Sequence, residues 1–256
     1  MKSVIICEGN TDLVLLQYFL EKTYNWEYVN IKHYTDKMNR ITEPNNQKWF
    51  SHSSGNSLCL ISAGGCSKIP AILNKCLDYN SLGPLFPYDS IAVVCDRDEV
   101  ETEAVFLTSL LSEFNRYHVQ FDGEFVHNNW NISSYTNALQ SQQSLNCLPL
   151  IIPFEDTGAI ESFLLNALSQ ASEQSDPEMV DKRVIEQCID FIDNIDCCGK
   201  YLTRRRDKTK AKFDSVFVVM TPAEAFSNRR NLLRSVPWEE FETIQIGFKH
   251  FSHFSH

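Results

Sequence analysis

The sequence predicts an α/β fold, in which short buried strands alternate with amphipathic helices. Residues 4–7 and 91–95 are apolar, largely β-branched runs of the length expected for buried strands. The segment after the first run carries Leu13, Leu16 and Phe19 at the spacing of one helical face. At 256 residues the chain is long enough to bury a full core, as one domain or as one domain with an appendage.

The first strand runs into the segment Glu8-Gly9-Asn10-Thr11-Asp12. Glycine allows the chain to turn after the carboxylate, and the three polar residues that follow favour the first turn of a helix. Glu8 is therefore predicted at the carboxyl end of a strand, where open α/β sheets bind their ligands. Asp12 is predicted close by, on the first helical turn.

The second strand, at residues 91–95, runs into Asp96-Arg97-Asp98. If the extended geometry continues past the strand, the side chains of Asp96 and Asp98 point to the same side. Carboxylates at the ends of neighbouring strands form an all-oxygen cluster, which is the kind of site that binds a hard divalent cation. The two motifs together therefore predict a shared cation site.

The motifs E-G-x-T-D at 8–12 and D-x-D at 96–98, each after an apolar strand, resemble the signature of the Toprim domain. That domain occurs in topoisomerases, bacterial primases and the OLD-family (overcoming lysogenisation defect) nucleases. The resemblance covers residues 1–170 and implies a mostly parallel sheet flanked by helices. It also implies a site with two Mg²⁺ or Mn²⁺ ions that acts on nucleic-acid phosphodiesters, in which Glu8, Asp12, Asp96 and Asp98 are catalytic and bind the metal.

Composition narrows the class of protein. Hydrophobic residues make up 43% of the chain and charged residues 22%, which is ordinary for a globular protein. The sequence has no apolar run of membrane-spanning length and no signal peptide, so we expect a cytoplasmic protein. A net charge of −10 argues against coating nucleic acid by bulk charge. The nine cysteines predict buried thiols, such as Cys7, Cys59 and Cys95, and neither disulfides nor a zinc site.

Between the two acidic motifs, residues 36–57 are polar and predict a surface insertion, whereas residues 58–61 predict a strand. This strand runs into Gly64-Gly65, followed by a helix at about residues 67–79. In Toprim-like nucleases a Gly-Gly turn occupies this place, and its backbone N–H groups can bind a phosphate, to which Lys68 adds a positive charge. The alternative is a tight strand-to-helix connection.

After the second motif, residues 102–117 predict a helix, and residues 120–146 predict an irregular insertion rich in Asn, Gln and Ser. A strand at 148–154 then leads into another helix. OLD-like enzymes carry an acidic residue on the corresponding helix, where it serves the second metal ion, and the resemblance makes Glu161 the first choice for this role and Glu155 the second. The alternative for Glu161 is a carboxylate in the capping region of an amphipathic helix.

The C-terminal part is predicted to be helical and basic. A polar linker at 170–177 divides the chain into a core at 1–170 and a mainly helical extension at 171–256 that packs on the core. Residues 178–195 predict a helix, and residues 215–220 fit either a last strand or a continuation of the basic helix before them. The histidine-rich tail at 250–256 is predicted to be frayed.

Residues 200–212 hold seven of the 23 lysines and arginines of this acidic chain. This concentration predicts contacts to the phosphate backbone of nucleic acid, with a solvated basic face as the alternative. The resemblance further implies a lysine after the core that stabilises the charge developing in phosphoryl transfer, and Lys210 or Lys212 suits that place. The predicted nucleic-acid contacts are Gly64, Gly65, Lys68, Arg204, Arg205, Arg206 and Lys208.

These observations favour a divalent-metal-dependent nuclease that hydrolyses phosphodiester bonds, with DNA preferred over RNA as the partner. A second hypothesis is a non-catalytic nucleotide- or metal-binding module in a larger assembly, such as a phage-defence effector. Its ATPase would be a separate chain, because the sequence has no G-x-x-x-x-G-K-[ST] motif. A degenerate fold kept for protein contacts is a third hypothesis, and a homodimer is left open.

Overall fold

The computed structural model describes residues 1–153, 157–175, 178–222 and 229–256, and in them the chain forms eight strands and eight α-helices. The strands are β1 (Lys2–Cys7), β2 (Glu27–Val29), β3 (Gln47–Ser51), β4 (Ser57–Ser62), β5 (Ser90–Asp96), β6 (Gln120–Phe121), β7 (Asn131–Thr136) and β8 (Gln142–Ile152). The helices are α1 (Asn10–Tyr24), α2 (Ile69–Ser81), α3 (Thr102–Arg116), α4 (Ile160–Ser175), α5 (Val180–Ile195), α6 (Arg205–Met220), α7 (Arg229–Ser235) and α8 (Glu242–Phe248). Among these helices, none combines the length and apolarity that crossing a bilayer requires.

The eight strands form one mixed sheet in the order β2-β3-β4-β1-β5-β8-β7-β6. Its four central strands, β4, β1, β5 and β8, are parallel to one another. The two strands added at each edge are antiparallel to their neighbours. The α/β class is therefore confirmed, but the sheet as a whole is mixed and not mostly parallel.

The antiparallel edges come from the segments that the sequence predicted as insertions. Residues 36–57 supply β3, and residues 120–146 supply β6, β7 and the start of β8. In β7 the inward-facing residues are polar, which hides the alternation typical of a half-buried strand. Their hydrogen bonds are satisfied internally: Ser133 Oγ donates to the Leu145 carbonyl at 2.6 Å, and Asn131 Nδ2 donates to the Cys147 carbonyl at 3.2 Å.

Side chains alternate along each strand, so both faces of the sheet carry apolar residues, and helices cover both faces. Ile5 and Cys7 of β1 face one apolar core, to which α1, α4, α5, α6 and α8 contribute. Val4 and Ile6 face a second core, formed with α2 and α3. The central strands are buried on both sides, as the apolar runs in the sequence predicted.

The C-terminal residues belong to the first of these cores. Helix α4 runs through the domain boundary predicted at residue 170 and through the described part of the predicted linker. Phe213 and Phe217 of α6 are fully buried in this core, so residues 215–220 continue the basic helix. The tail is docked and not frayed, because Phe251 and Phe254 have no exposed surface.

The parallel register places the carboxyl ends of the central strands at one edge of the sheet. Cys7 of β1 lies opposite Ser62 of β4 and Val94 of β5, and Asp96 lies opposite Ile152 of β8. The two acidic motifs follow β1 and β5, which are direct neighbours. The fold therefore brings them together at this edge.

Candidate functional site

Glu8 is held at the end of β1 by the turn that follows β4. The backbone N–H groups of Gly64 and Gly65 both donate to the Glu8 carbonyl at 2.9 Å. Gly64 has φ +78° and Gly65 has φ +133°, a backbone region that favours glycine. Because the Glu8 carbonyl accepts both hydrogen bonds, neither N–H group is free for the phosphate that the sequence predicted there. The turn is the tight strand-to-helix connection that the sequence left as the alternative.

Asp12 lies on the first turn of α1 and closes that turn. The Gly9 N–H donates to Asp12 Oδ2 at 2.6 Å, in the manner of a capping box. Gly9 has an extended backbone with φ −134°, so no left-handed turn requires glycine here. A Cβ at this position would lie only 3.3 Å from Asp12 Oδ2. Glycine therefore permits the close approach of the carboxylate.

Asp96, the last residue of β5, caps the start of α4. Its Oδ1 accepts a hydrogen bond from the Ile160 N–H at 2.9 Å. The next residue reinforces this junction, because the Arg97 N–H donates to the Ile152 carbonyl at 2.6 Å and the Arg97 carbonyl accepts from the Gly158 N–H at 2.7 Å. The start of α4, with Glu161 in its first turn, is thereby fixed against the end of β5.

Arg97 is a buried cation that sequence reasoning missed. It is only 8% exposed, and its Nε donates to the Pro153 carbonyl at 2.9 Å. Its Nη1 lies 3.1 Å from Glu103 Oε2. These contacts tie the ends of β5 and β8 to α3 and hold the backbone that carries the carboxylates. In the sequence, only its position between Asp96 and Asp98 indicates that Arg97 belongs to the site.

Four of the predicted acidic residues converge at this edge as a carboxylate cluster, which consists of Glu8, Asp12, Asp96 and Glu161. Their exposed fractions are 3%, 4%, 9% and 3%. The backbone N–H of Asp96 interacts with the Glu8 carboxylate, so the two motifs are in contact. Segments far apart in the sequence thus place their carboxylates together in a buried position.

The surroundings of the cluster raise the pKa values of Glu8, Asp12 and Asp96. The pKa of Asp12 is raised to about 7, chiefly by burial and also by the charges of Glu161 and Glu8, while the hydrogen bond from the Gly9 N–H acts in the opposite direction. Burial also raises the pKa of Asp96 well above its usual value, with added contributions from Asp12, Glu8 and Glu161. Burial raises the pKa of Glu8 as well, although the Arg206 guanidinium opposes this shift.

The cluster borders a cavity of about 560 Å³ that also receives two cations of α6. Asp12, Asp96 and Glu161 line it together with Arg206 and Lys210. Arg206 Nη1 lies 3.2 Å from Glu8 Oε1. The other carboxylate oxygen of that residue, Oε2, is buried and has no hydrogen-bond partner in the described part of the chain.

Asp98 and Lys212 lie elsewhere than the sequence predicted. β5 ends at Asp96, so Asp98 does not share its side of the strand. Asp98 is exposed and lines a neighbouring cavity of about 610 Å³, although its charge still raises the pKa of Glu8. Lys212 Nζ lies 2.8 Å from a carboxylate oxygen of Asp193, and it lines a separate cavity of about 450 Å³. Of the two lysines considered, Lys210 is the one at the cluster.

Of the basic residues predicted to contact nucleic acid, only Arg206 lines the cavity at the carboxylate cluster. Arg204 is exposed and binds Asp207 at 2.9 Å. Arg205 donates to the Asp98 carbonyl and, with Lys208, lines the separate cavity that also contains Lys212. Lys68 is exposed beside the Gly64-Gly65 turn, and both glycines line the cavity at the carboxylate cluster. Glu155, the second choice for the second metal ion, lies outside the described residues.

A pair of thiols adjoins the carboxylate cluster, and sequence reasoning missed it. Cys66 Sγ lies 3.4 Å from Cys95 Sγ. A carboxylate oxygen of Glu8 and the Sγ atoms of Cys66 and Cys95 all lie within 4.8 Å of one another. Their positions in the sequence could have indicated this pair. Cys66 follows the glycine turn after β4, Cys95 lies at the end of β5, and both strands flank β1.

Comparison with known proteins adds information about the fold. No family model matches the chain, and no curated protein matches it. Among solved structures, the hypothetical protein PH0156 from Pyrococcus horikoshii OT3 is similar, with a TM-score of 0.54 and 19% identity over 100% of this chain and 99% of that chain. A glyoxalase/dioxygenase from Nostoc punctiforme reaches a TM-score of 0.20 and 10% identity, over 57% of this chain and 89% of that chain. The likeness to PH0156 establishes a shared fold alone, and the second likeness carries no argument.

Proposed function

We propose that the protein is a divalent-metal-dependent nuclease that hydrolyses nucleic-acid phosphodiester bonds at the carboxylate cluster. The observation that carries this proposal is the buried Glu8 Oε2, which lacks a partner among the described residues and belongs to a group of four buried carboxylates. A buried carboxylate oxygen without a hydrogen-bond partner is costly, and a coordinated cation removes that cost. The Toprim-like pattern of the sequence supports the same assignment, because its acidic residues follow two adjacent parallel strands.

The residues fit a hard divalent ion. Their donor atoms are carboxylate oxygens, which Mg²⁺ and Mn²⁺ prefer over nitrogen and sulfur ligands. In this proposal Glu8 and Asp96 would hold one ion, and Asp12 and Glu161 would hold a second. Ions held there would supply activation of a water and stabilisation of the leaving oxygen.

The chain itself supplies binding and charge. Lys210 and Arg206 line the cavity beside the carboxylates, where a cation stabilises negative charge developing on a phosphoryl group. Arg205 and Lys208 lie on the same helix and can bind phosphates farther along the strand. A local basic helix accounts for nucleic-acid binding by a chain whose net charge is −10.

A cleavage assay tests the proposal. Purified protein with Mg²⁺ or Mn²⁺ is expected to nick supercoiled plasmid or to cut single-stranded oligonucleotides, and EDTA is expected to stop the reaction. RNA of matched sequence, assayed in parallel, tests the expected preference for DNA. Metal and oligonucleotide binding by calorimetry, without cleavage of any of these substrates, would contradict the nuclease and favour the non-catalytic module in a larger assembly.

The two lysines provide a matched test of which face of α6 is used. We expect Lys210→Ala to lower kcat by on the order of 10²-fold, because it removes a cation from the cavity that contains the carboxylates. Lys212→Ala removes the same side chain two residues later, breaks the pair with Asp193, and is expected to leave kcat within a few-fold. Steady-state cleavage kinetics of both variants measure this difference. Equal losses of kcat would argue against the assignment of Lys210.

A further inference from the structure

We propose that Cys66, Cys95 and Glu8 form a site for a thiophilic divalent ion, with Zn²⁺ as its expected occupant, beside the carboxylate cluster. This thiol site differs in donor chemistry from the all-oxygen cluster, because two of its three ligand atoms are sulfur. The spacing of cysteines along the sequence gave no hint of it. Glu8 follows β1, Cys66 follows the glycine turn after β4, and Cys95 lies in β5, and these three strands are adjacent in the sheet.

The geometry of the thiol site suits tetrahedral coordination. Zn²⁺ binds thiolate sulfur at about 2.3 Å, so two sulfurs on one tetrahedral ion lie about 3.8 Å apart. The observed separation of 3.4 Å between Cys66 Sγ and Cys95 Sγ requires a shift of only a few tenths of an ångström. Cys95 is 1% exposed, whereas Cys66 is partly exposed and leaves the site accessible from solvent.

The Glu8 carboxylate, which also supports the proposed carboxylate cation site, gives a second pointer to a ligand. Glu8 is 3% exposed, and the described residues provide no hydrogen-bond partner for its Oε2. This residue therefore completes a set of three protein ligands, which leaves the fourth tetrahedral position for water. Three ligands with one open position is the arrangement of exchangeable and catalytic zinc sites and not of closed structural ones.

The thiol site has a regulatory consequence because it shares Glu8 with the carboxylate cluster. Zn²⁺ on the thiolates would engage the Glu8 carboxylate and withdraw it from a Mg²⁺ ion held with Asp96. Zn²⁺ is therefore expected to inhibit cleavage in the presence of excess Mg²⁺. This consequence rests on the proposed nuclease function, whereas binding of Zn²⁺ does not.

Cobalt spectroscopy tests the binding directly. The parent for this test is the Cys197→Ser/Cys198→Ser variant, which lacks two exposed adjacent thiols that could bind metal on their own. Under reducing conditions, Co²⁺ is expected to give a thiolate-to-cobalt charge-transfer band that saturates at one ion per chain and that Zn²⁺ abolishes. Cys66→Ser is expected to lose the band. Cys76→Ser, which removes a buried thiol of the core formed with α2 and α3, is expected to keep it.

Two outcomes would overturn the thiol site. One is the absence of a charge-transfer band in the parent while thiol titration shows all its cysteines reduced. The other is a band of unchanged intensity in Cys66→Ser. Circular dichroism of each variant ensures that a lost band reflects a lost ligand, and the partly exposed position of Cys66 makes serine tolerable there.

Inhibition of cleavage by Zn²⁺ tests whether the two sites share Glu8. If cleavage is observed, micromolar Zn²⁺ is expected to inhibit the parent by at least tenfold and Cys66→Ser by much less. Equal inhibition of both proteins would show that Zn²⁺ acts elsewhere and would overturn the sharing of Glu8. If no substrate is cleaved, the proposed nuclease function fails, while the cobalt titration still decides whether the thiol site exists.

Discussion

Asp96→Asn is expected to lower the rate of phosphodiester cleavage by on the order of 10³-fold or more while leaving the protein folded. Asparagine retains an oxygen that can accept the Ile160 N–H, so the cap of α4 survives. What the substitution removes is the negative charge that the second acidic motif brings to a cation. Plasmid nicking measures the rate, and circular dichroism checks the fold.

The metal-free Asp96→Asn variant is also expected to unfold at a temperature equal to or above that of the parent. Burial raises the pKa of Asp96 well above its usual value, which means that its ionised form is unfavourable in the folded protein without a cation. A neutral amide of the same shape avoids this cost. Inactivity combined with higher stability would separate loss of chemistry from loss of structure.

Asp89→Asn is the matched control for this substitution. Asp89 immediately precedes the first residue of β5, and its Oδ2 accepts the Lys2 N–H at 2.6 Å, so asparagine again preserves an acceptor. It lies outside the cavity at the carboxylate cluster, and cleavage by this variant is expected to match the parent. Cleavage by Asp96→Asn at more than about one-tenth of the parent rate would argue against the carboxylate cluster as the site.

The second large effect is a loss of stability of the metal-free protein as pH rises. A carboxyl whose pKa is raised on folding stabilises the protein most fully below its unfolded pKa, and this contribution is lost as pH rises through the folded pKa. For Asp12 these values are 3.8 and about 7. The difference corresponds to up to about 4 kcal/mol in the free energy of unfolding between pH values of about 4 and 7.

Urea unfolding in EDTA at pH 5 and pH 8 measures this dependence. Asp12→Asn is expected to reduce the difference between the two pH values and to stabilise the metal-free protein at pH 8. Its amide oxygen can still accept the Gly9 N–H that now binds Asp12 Oδ2. Asp190→Asn, which changes an exposed aspartate of α5, is expected to behave like the parent. A pH dependence that is identical in Asp12→Asn and in the parent would contradict the role of Asp12.

Mg²⁺ is expected to reverse this loss of stability. A ligand that binds only the folded state adds about 3 kcal/mol to the free energy of unfolding at 100 times its Kd. The gain should be larger at pH 8 than at pH 5.5, because protons compete with the metal for the carboxylates. It should be reduced in Asp12→Asn and in Asp96→Asn. A Mg²⁺ effect that is the same at both pH values and in both variants would indicate binding outside the cluster.

The convergence of the carboxylates is the part of the site that the sequence predicted best. Glu8 and Asp96 follow apolar runs whose length and β-branching indicate parallel core strands, and parallel strands align their carboxyl ends. A rule of this kind uses only local pattern and general topology. It needs no knowledge of which side chains finally touch.

Other features depend on contacts that no local pattern encodes. The antiparallel strand β7, which lies between β8 and the edge strand β6, turns polar residues inward, and Ser133 and Asn131 are tolerated there because β8 accepts their hydrogen bonds. Likewise, Cys66 and Cys95 lie 29 positions apart and become neighbours only when β4 and β5 flank β1. Such pairings exist only after the sheet has formed.

The choice between Lys210 and Lys212 was undecidable for a geometric reason. Two residues apart on an α-helix, their side chains leave the axis about 200° apart, so one faces the cluster when the other faces away. Which one does so depends on the rotation of α6 about its axis. Packing of Phe213 and Phe217 into the first core sets that rotation.

The most direct test of the cation site is a crystal structure of the protein soaked in Mn²⁺, with anomalous scattering measured at the manganese edge. We expect anomalous peaks within coordination distance of carboxylate oxygens of Glu8, Asp12, Asp96 and Glu161, and loss of the peak next to residue 96 in crystals of Asp96→Asn. Full Mn²⁺ occupancy at other residues, with the cluster bound only to water or to Arg206, would contradict the assignment of this edge of the sheet as a metal-dependent active site.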